Sequence, residues 1–256
     1  MDDPETARVA AVARLQRLEE LLRLAPEERQ TRALLARAWA RYALLFLEDD
    51  LEDARDRGHT PDLAYHALRA RNAYERAIHH GREVLDGAAF EAAVASDALP
   101  AFLASRRDDP WTVLWLGAAW MGRLRVATEN HRQLAAQSRV GEQLLEHAIA
   151  RDPARAGPWG HLLLGLWRGR VGGEPEQARA HFEQAAQLAG GKLLVAPLFL
   201  ARFALCQRQD SERWEVLLRE ILDARDPAPE QRIDNAIAKR KAARDLLGPR
   251  RAQCMP

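Results

Sequence analysis

The sequence of 256 residues has no long apolar run and few residues that favour β-strands. No segment approaches the roughly 20 consecutive apolar residues that a membrane-spanning helix requires. Valine, isoleucine, threonine and tyrosine are scarce, whereas alanine, leucine, arginine and glutamate dominate. The dominant residues are strong helix formers. We therefore expect a helical protein with no membrane span in this chain.

Neither sign of charge is in excess. The chain carries 38 lysine and arginine residues against 37 aspartate and glutamate residues, so its formal net charge is +1. A dedicated nucleic-acid-binding protein usually carries a basic excess on one face. The balance therefore argues against nucleic acid as a partner. With 47% hydrophobic and 29% charged residues, the chain is typical of globular proteins.

Cysteine is rare. Cys206 lies in an apolar helical stretch, and Cys254 is third from the C-terminal end. A disulfide between them is possible. Nothing else in the sequence resembles a small disulfide scaffold, however, so the composition favours two free thiols.

Spacings typical of catalytic or metal sites are also missing. No two of the eight histidines lie at i and i+4, and the adjacent His79 and His80 diverge too far on a helix to hold one ion well. Gly190-Gly191-Lys192 fits the end of a helix better than a phosphate-binding loop, because no strand precedes it. No serine or cysteine has a recognisable base partner. We expect a protein that is not an enzyme and has no metal or cofactor.

Proline and glycine punctuate the chain at the ends of candidate helices. This punctuation predicts helices at about 5–24, 27–49, 61–80, 82–95, 110–128, 133–151, 158–169, 175–189, 193–208, 211–224 and 229–247. Most of the loops between them are short, which favours antiparallel packing of consecutive helices. We expect residues 1–256 to form a single helical-repeat domain, with a seam between sub-bundles near the charged residues 106–109.

A repeat pattern lies within this helix series. Ala178, Phe182 and Ala185 have the small–aromatic–small spacing of a second tetratricopeptide helix, in which small residues let two helices approach and the aromatic ring fills the groove. Gly141, Leu145, Ala148 and Pro153 repeat the same offsets. The predicted fold class is therefore all-α, with antiparallel helix pairs in a tetratricopeptide-like, degenerate TPR, helical-repeat array. Ordinary helical bundles also contain motifs of this kind.

Five tryptophans are the candidate ligand contacts. Trp111, Trp115 and Trp120 lie on one predicted helix, and Trp159 and Trp167 lie on another. The first helix is apolar on nearly every face, so it is either packed on all sides or packed on one side while lining a cavity on the other. Tryptophan suits both roles, because it offers a large rigid surface with one N–H donor. We hypothesise that these side chains line an apolar ligand cleft or pore, with core packing as the alternative.

Several segments resemble a known family when they are read in order. They are RARNAYERAIHHGREVL at 69–85, DDPWTVLWLGAAWMG at 108–122, LLEHAIARDP at 144–153, GGEPEQARAHFEQAAQLAGGK at 172–192 and EQRIDNAIAKRKAARDLL at 230–247. Together with the helix order, they span most of the chain. The chain resembles the T component of tripartite ATP-independent periplasmic (TRAP) transporters, the TatT family.

The resemblance implies a fold, an assembly and a role. The fold would be an all-helical repeat, and the assembly a homotrimer with a central pore. The role would be that of a non-enzymatic accessory subunit, which binds a TRAP-type periplasmic solute-binding protein. The hypothesis drawn from the tryptophans adds a small apolar ligand to this role. A generic TPR-like protein–protein interaction scaffold without a transport role is the alternative interpretation.

The resemblance also bears on location. Family members are typically lipoproteins with a signal peptide and an acylated cysteine, and neither is present here. The start Met1-Asp2-Asp3-Pro4-Glu5 resembles the interior of family members just upstream of their first helix. We therefore expect a periplasmic protein whose leader and lipid-anchor cysteine have been trimmed from this chain. If Met1 is the natural start, we expect a cytoplasmic protein instead.

Overall fold

The computed structural model describes residues 3–127, 131–170, 174–225 and 228–255, with the backbone alone at 131–136 and 170. Helices cover most of these residues, and no strand occurs among them. The all-α fold class, predicted from composition and from the positions of proline and glycine, is confirmed. Within the same ranges, no helix is both long and apolar enough to cross a membrane.

The helices follow one another with short connections. The α-helices are α1 (Pro4–Leu24), α2 (Arg29–Tyr42), α3 (Glu48–Asp56), α4 (Thr60–Val84), α5 (Gly87–Ala95), α6 (Leu99–Ala104), α7 (Pro110–Val126), α8 (His131–Arg151), α9 (Pro153–Arg170), α10 (Pro175–Ala189), α11 (Val195–Leu200), α12 (Ser211–Asp223), α13 (Arg232–Leu247) and α14 (Pro249–Cys254). Two π turns, Ala43–Leu47 and Ala201–Leu205, lie within longer helical stretches. Short 3₁₀ turns occur at Cys206–Arg208 and Pro229–Gln231.

The helices form two compact units. One consists of residues 8–156, and the other of residues 1–7 together with 157–256. The predicted seam at 106–109 lies within the first unit. The expectation of a single helical-repeat domain stays a prediction.

Helix α7 is central to the unit of residues 8–156. It packs against α2, α4 and α8, and this explains why its residues are apolar on nearly every face. Asp109 caps its start by accepting a hydrogen bond from the backbone N–H of Trp111, and Pro110 takes the first helical position. The residues from Thr112 to Ala119 are all buried.

A buried polar cluster joins α3, α4 and α7 in this unit. Arg125 Nη2 lies 2.5 Å from Glu48 Oε1, and the Tyr74 hydroxyl donates a hydrogen bond to the same oxygen. Burial works to lower the pKa of Arg125, but the attraction of Glu48 and Tyr74 outweighs it, and the pKa is raised. Removing Glu48 would take from the buried Arg125 the carboxylate that it contacts, so the cluster helps to fix the three helices relative to one another.

The unit of residues 157–256 shows the close packing that the repeat pattern predicts. Ala178, Phe182 and Ala185 are fully buried on α10. A Cβ added at Gly165 of α9 would lie 2.7 Å from the Phe182 ring, so a glycine is needed for this approach. In the same unit, Arg202 and Asp245 form a buried pair with contacts of 2.6 and 2.9 Å. The tetratricopeptide assignment itself stays a prediction.

Several predicted helix boundaries are wrong. The predicted break between residues 80 and 82 is absent, because Gly81 allows close contact with Leu116 and does not end α4. The helix predicted to end at 49 continues through the first π turn to Asp56. Helix α9 begins at Pro153, so Pro158 lies inside it and not near its start.

The expectation of two free thiols is also wrong. Cys206 and Cys254 form a disulfide, and their Cα atoms are 4.6 Å apart. The short helix α14, missing from the predicted series, brings Cys254 against the 3₁₀ turn at Cys206–Arg208. Composition carries no signal for this bond, because a chain with a large core needs no disulfide framework to fold.

Candidate functional site

A groove of about 1000 Å³ lies between α1, α2 and α4, within the unit of residues 8–156. Helix α1 forms one wall with residues spaced three or four apart, which places them on one helical face. These residues are Val12, Leu15, Gln16, Glu19, Glu20 and Arg23. At a rise of about 1.5 Å per residue, this wall is about 16 Å long.

Helix α4 forms the opposite wall with the same spacing. Its lining residues are Arg69, Asn72, Ala73 and Arg76. The floor consists of Trp39 and Tyr42 of α2 and Leu47 of the first π turn. Leu15 and Ala73 of the walls and Tyr42 and Leu47 of the floor are buried. The groove thus combines these apolar residues with charged and amide side chains of the walls.

Contacts at the two ends define the directions of the helices. Near the start of α1, both terminal guanidinium nitrogens of Arg8 lie 2.7 Å from the Asp50 carboxylate, and Arg69 lies 3.8 Å from that carboxylate. Farther along, Glu19 lies 3.5 Å from His80. The walls α1 and α4 therefore run parallel. The stretch from α2 to α3 runs antiparallel to them.

The end near Trp39 contains an organised set of side chains. The Trp39 Nε1 donates a 2.8 Å hydrogen bond to Glu19 Oε1, and the Arg76 guanidinium lies 4.8 Å from the centre of the Trp39 ring. Burial lowers the pKa of His80 by more than the nearby Glu19 carboxylate raises it, so His80 is neutral at neutral pH. Glu19 therefore interacts with an indole N–H and a neutral imidazole.

The first π turn lies where the floor meets this organised end. The backbone N–H of Glu48 donates to the Ala43 carbonyl, five residues back, and Tyr42 and Leu47 at the ends of the turn both line the groove. Such turns occur as single interruptions of α-helices and are frequent at functional sites. This association makes the groove a candidate functional site.

The predicted ligand tryptophans of α7 lie elsewhere in the same unit, outside the groove lining. Trp115 is fully buried, with a relative exposure of 0%, and its ring stands edge-on to Trp111 with centroids 5.8 Å apart. Trp111 is half-buried between Arg37 and Arg155, whose guanidinium groups each lie 5.0 Å from its ring centre. Trp120 is half-buried and donates to the Gln137 carbonyl.

Trp159 and Trp167 lie on α9 in the other unit and are both buried, with exposures of 2% and 4%. Neither lines the groove. Of the five predicted tryptophans, Trp111 and Trp115 are in contact with each other on α7. The ligand-binding role of the five tryptophans stays a prediction.

None of the groove-lining residues is predicted in the sequence analysis, and Trp39 and Arg76 are the most prominent of those that it misses. Trp39 lies in an arginine- and alanine-rich segment, whereas Trp111, Trp115 and Trp120 lie in the apolar stretch that points to a ligand cleft. One signal was present. Arg69, Asn72, Ala73 and Arg76 share the spacing of one helix face and mix polar with small residues, which is typical of a lining face.

A second cluster of titratable groups lies on α9 and α10. His161 Nδ1 and His181 Nδ1 are 3.0 Å apart. Burial lowers the pKa of His161, and burial together with His161 and Arg168 lowers that of His181 to about 4. Among the described residues, no group of three or more histidine, cysteine, aspartate or glutamate side chains could hold a metal ion. The pair is best described as a hydrogen bond between neutral rings.

Comparison with protein families matches residues 1–251 to the TRAP transporter T-component. The chain belongs to this family. The match confirms the resemblance inferred from the order of the segments, and it covers both compact units. A search of curated proteins found no match to the chain. As a T-component, the chain is an accessory part of a TRAP transport system, and the family is not an enzyme family.

Proposed function

We propose that this T-component is a periplasmic, non-enzymatic accessory subunit that docks onto the solute-binding protein of its TRAP system. The family match over residues 1–251 carries the proposal. An accessory component must recognise another component of the same system. Arrays of packed helices suit this task because they present extended surfaces for protein partners. We also propose a tetratricopeptide-like arrangement and a homotrimer, both of which follow from the family resemblance.

The disulfide supports the periplasmic location. Disulfides persist in oxidising compartments such as the bacterial periplasm and are rare in the reducing cytosol. Cys206 and Cys254 are joined, and Cys254 is fully buried. A bond of this kind fits a chain that folds after export.

We further propose that the subunit binds a small, largely apolar ligand. The α1–α2–α4 groove supports this, because its volume of about 1000 Å³ and its apolar floor suit a small molecule. The five tryptophans Trp111, Trp115, Trp120, Trp159 and Trp167 are a second proposed set of contacts for such a ligand.

Isothermal titration of the chain with the solute-binding protein of the same TRAP system tests the docking proposal. We expect saturable binding with a dissociation constant on the order of micromolar, as is common for transient contacts between proteins. A solute-binding protein from an unrelated uptake system is the matched control and should show no heat of binding. No binding to the TRAP partner would overturn the proposal. Binding of both proteins alike would favour the generic interaction scaffold.

A further inference from the structure

Helix α13 has one buried face and one outward face in the unit of residues 1–7 and 157–256. The outward face runs along Ile233, Ala236, Arg240, Ala243 and Leu247, which have the three- and four-residue spacing of one side of a helix. Ile233 and Leu247 at its two ends are exposed, and Leu247 is 87% exposed. A single exposed leucine is common on protein surfaces. The charges around Leu247 make this one unusual.

The residues around Leu247 are strongly basic. Residues 232–251 contain seven lysines and arginines against two aspartates, which is a net charge of +5. Both aspartates, Asp234 and Asp245, are fully buried, and Lys241 is buried as well. The other six basic side chains are exposed or half-buried. The charge that this segment presents to solvent is therefore positive.

Nearby carboxylates offset this charge only in part. Arg240 Nη1 lies 2.9 Å from Glu5 Oε1, and Arg251 Nη2 lies 3.5 Å from Glu215 Oε2. The side chains of these two arginines are 42% and 48% exposed. Ion pairs that are this exposed contribute little to stability, so Arg240 and Arg251 can exchange their carboxylates for another anion at small cost.

The disulfide holds the second half of this surface in place. Helix α14 carries Arg250 and Arg251 and has six residues, and a helix this short is marginal in water by itself. Cys254 at its end is bonded to Cys206 and is fully buried. The arginines of α14 are thus held beside Leu247 before anything binds, which reduces the entropy that binding would cost.

The composition of this surface favours a membrane over a protein partner. Protein interfaces are enriched in aromatic residues, and residues 232–251 contain none. Lysine and arginine together with exposed aliphatic side chains are typical of helices that lie on a lipid surface. There the cations attract anionic headgroups, and the aliphatic side chain enters the boundary between headgroups and acyl chains.

We propose that α13 and α14 dock this subunit onto the surface of a membrane that contains anionic phospholipids. Arg240 and Arg251 contact the phosphate groups, and Leu247 inserts between the headgroups. This docking goes beyond the proposed function. It depends neither on the solute-binding protein nor on the α1–α2–α4 groove.

Cosedimentation of the full chain with lipid vesicles tests the docking. Phosphatidylcholine vesicles that contain phosphatidylglycerol carry the anionic headgroup, and vesicles of phosphatidylcholine alone are the neutral reference. We expect the chain to bind the anionic vesicles far more tightly than the neutral ones. High sodium chloride should release it, because salt screens the attraction between charges. The absence of binding to anionic vesicles, or equal binding to both kinds, would overturn the proposal.

Substitutions locate the membrane-binding surface. Arg240→Gln/Arg251→Gln should weaken binding to anionic vesicles about tenfold or more, because each cation at an anionic surface strengthens binding roughly fivefold. Leu247→Ser should also weaken vesicle binding, without changing urea denaturation. The matched control is Arg14→Gln/Arg17→Gln, which removes the same charge from exposed positions of α1 in the other unit. Unchanged vesicle binding in Arg240→Gln/Arg251→Gln, or an equal loss in the control, would overturn the assignment.

Calorimetric titration with the solute-binding protein separates this inference from the proposed function. If vesicles bind and the solute-binding protein does not, the proposed docking function falls and the membrane surface stands. If vesicles do not bind and Arg240→Gln/Arg251→Gln abolishes docking of the solute-binding protein, the surface recognises a protein. The membrane proposal is then overturned.

Discussion

Arginine and tryptophan side chains are paired repeatedly in the unit of residues 8–156. Arg76 lies over Trp39, Arg41 over Trp115 and Arg123 over Trp120, at distances of 4.8, 5.6 and 4.8 Å from the ring centres. An arginine over an indole face gains electrostatic attraction and covers apolar surface with its stem. These pairs give arginine a structural role in this unit beyond ion pairing, one that lysine fills less well.

Trp115 and Trp120 should differ in their contribution to stability. Trp115→Ala removes a fully buried side chain and should lower the free energy of unfolding by about 3–5 kcal/mol. Trp120→Ala should cost less, because Trp120 is only half-buried. Urea denaturation of both variants measures the difference. Equal losses would show that Trp120 is as much a core residue as Trp115, which would count against its proposed ligand role.

The pair of His161 and His181 should make folding sensitive to mild acid. The pKa of His181 is about 4 in the folded chain and about 6.5 when unfolded. Between these values the unfolded chain binds the extra proton, so stability is present above pH ~6.5 and is lost as the pH falls towards ~4. Because the rings are half-exposed, the loss is discounted to on the order of 1–2 kcal/mol.

Urea denaturation at neutral pH and near pH 4.5 checks this expectation. The variant His181→Asn keeps a polar group of similar reach but does not titrate in this range. It should lose less stability on acidification than the unmodified chain. His59→Asn is a matched control, because His59 is exposed and packs against no second histidine. Identical acid sensitivity of the unmodified chain and His181→Asn would contradict the assigned pKa.

At the scale of elements, sequence patterns predict the bodies of most helices, and their errors have physical causes. The helix over 175–189 is predicted with its bounds because Pro175 starts it and Gly190 ends it in the left-handed conformation that glycine favours. The π turns are missed because an i to i+5 bond has no residue signature of its own. Gly81 misleads because its role depends on Leu116, which is distant in sequence.

The disulfide should stabilise the region that it closes. It joins residues separated by 48 positions, and closing such a loop in the unfolded chain contributes about 2–4 kcal/mol. The double variant Cys206→Ala/Cys254→Ala should therefore unfold at lower urea concentration than the oxidised chain. Thiol titration of the unfolded, unreduced chain should find no free thiol. Two free thiols per chain, or unchanged unfolding in the double variant, would contradict this role.

At the scale of the whole molecule, composition and motif order are informative in different ways. The excess of helix formers predicts the all-α class, and the order of the segments from 69–85 to 230–247 predicts the family. The groove is not predictable in this way, because its walls come from residues 12–23 and 69–76 and its floor from a third segment. Only the packing of distant segments reveals which faces meet around a space.

The proposed homotrimer gives a direct expectation for mass in solution. Light scattering coupled to size exclusion should give about three times the chain mass of 28.8 kDa. Measurements over a range of protein concentrations separate a stable trimer from a weak one. A monomer at every concentration would contradict the proposal, while leaving the fold and the groove assignment intact.

The first π turn also bears on how this chain tolerates changes of length. A turn closed by i to i+5 bonds holds about one residue more than an α turn, so deleting a residue such as Leu44 would convert it to regular helix. The side chains before and after the turn would stay on the same sides of the helix. The pairs Arg8–Asp50 and Arg125–Glu48 would therefore re-form. Relatives that differ by one residue at this position would then share the helices but differ in the width of the groove.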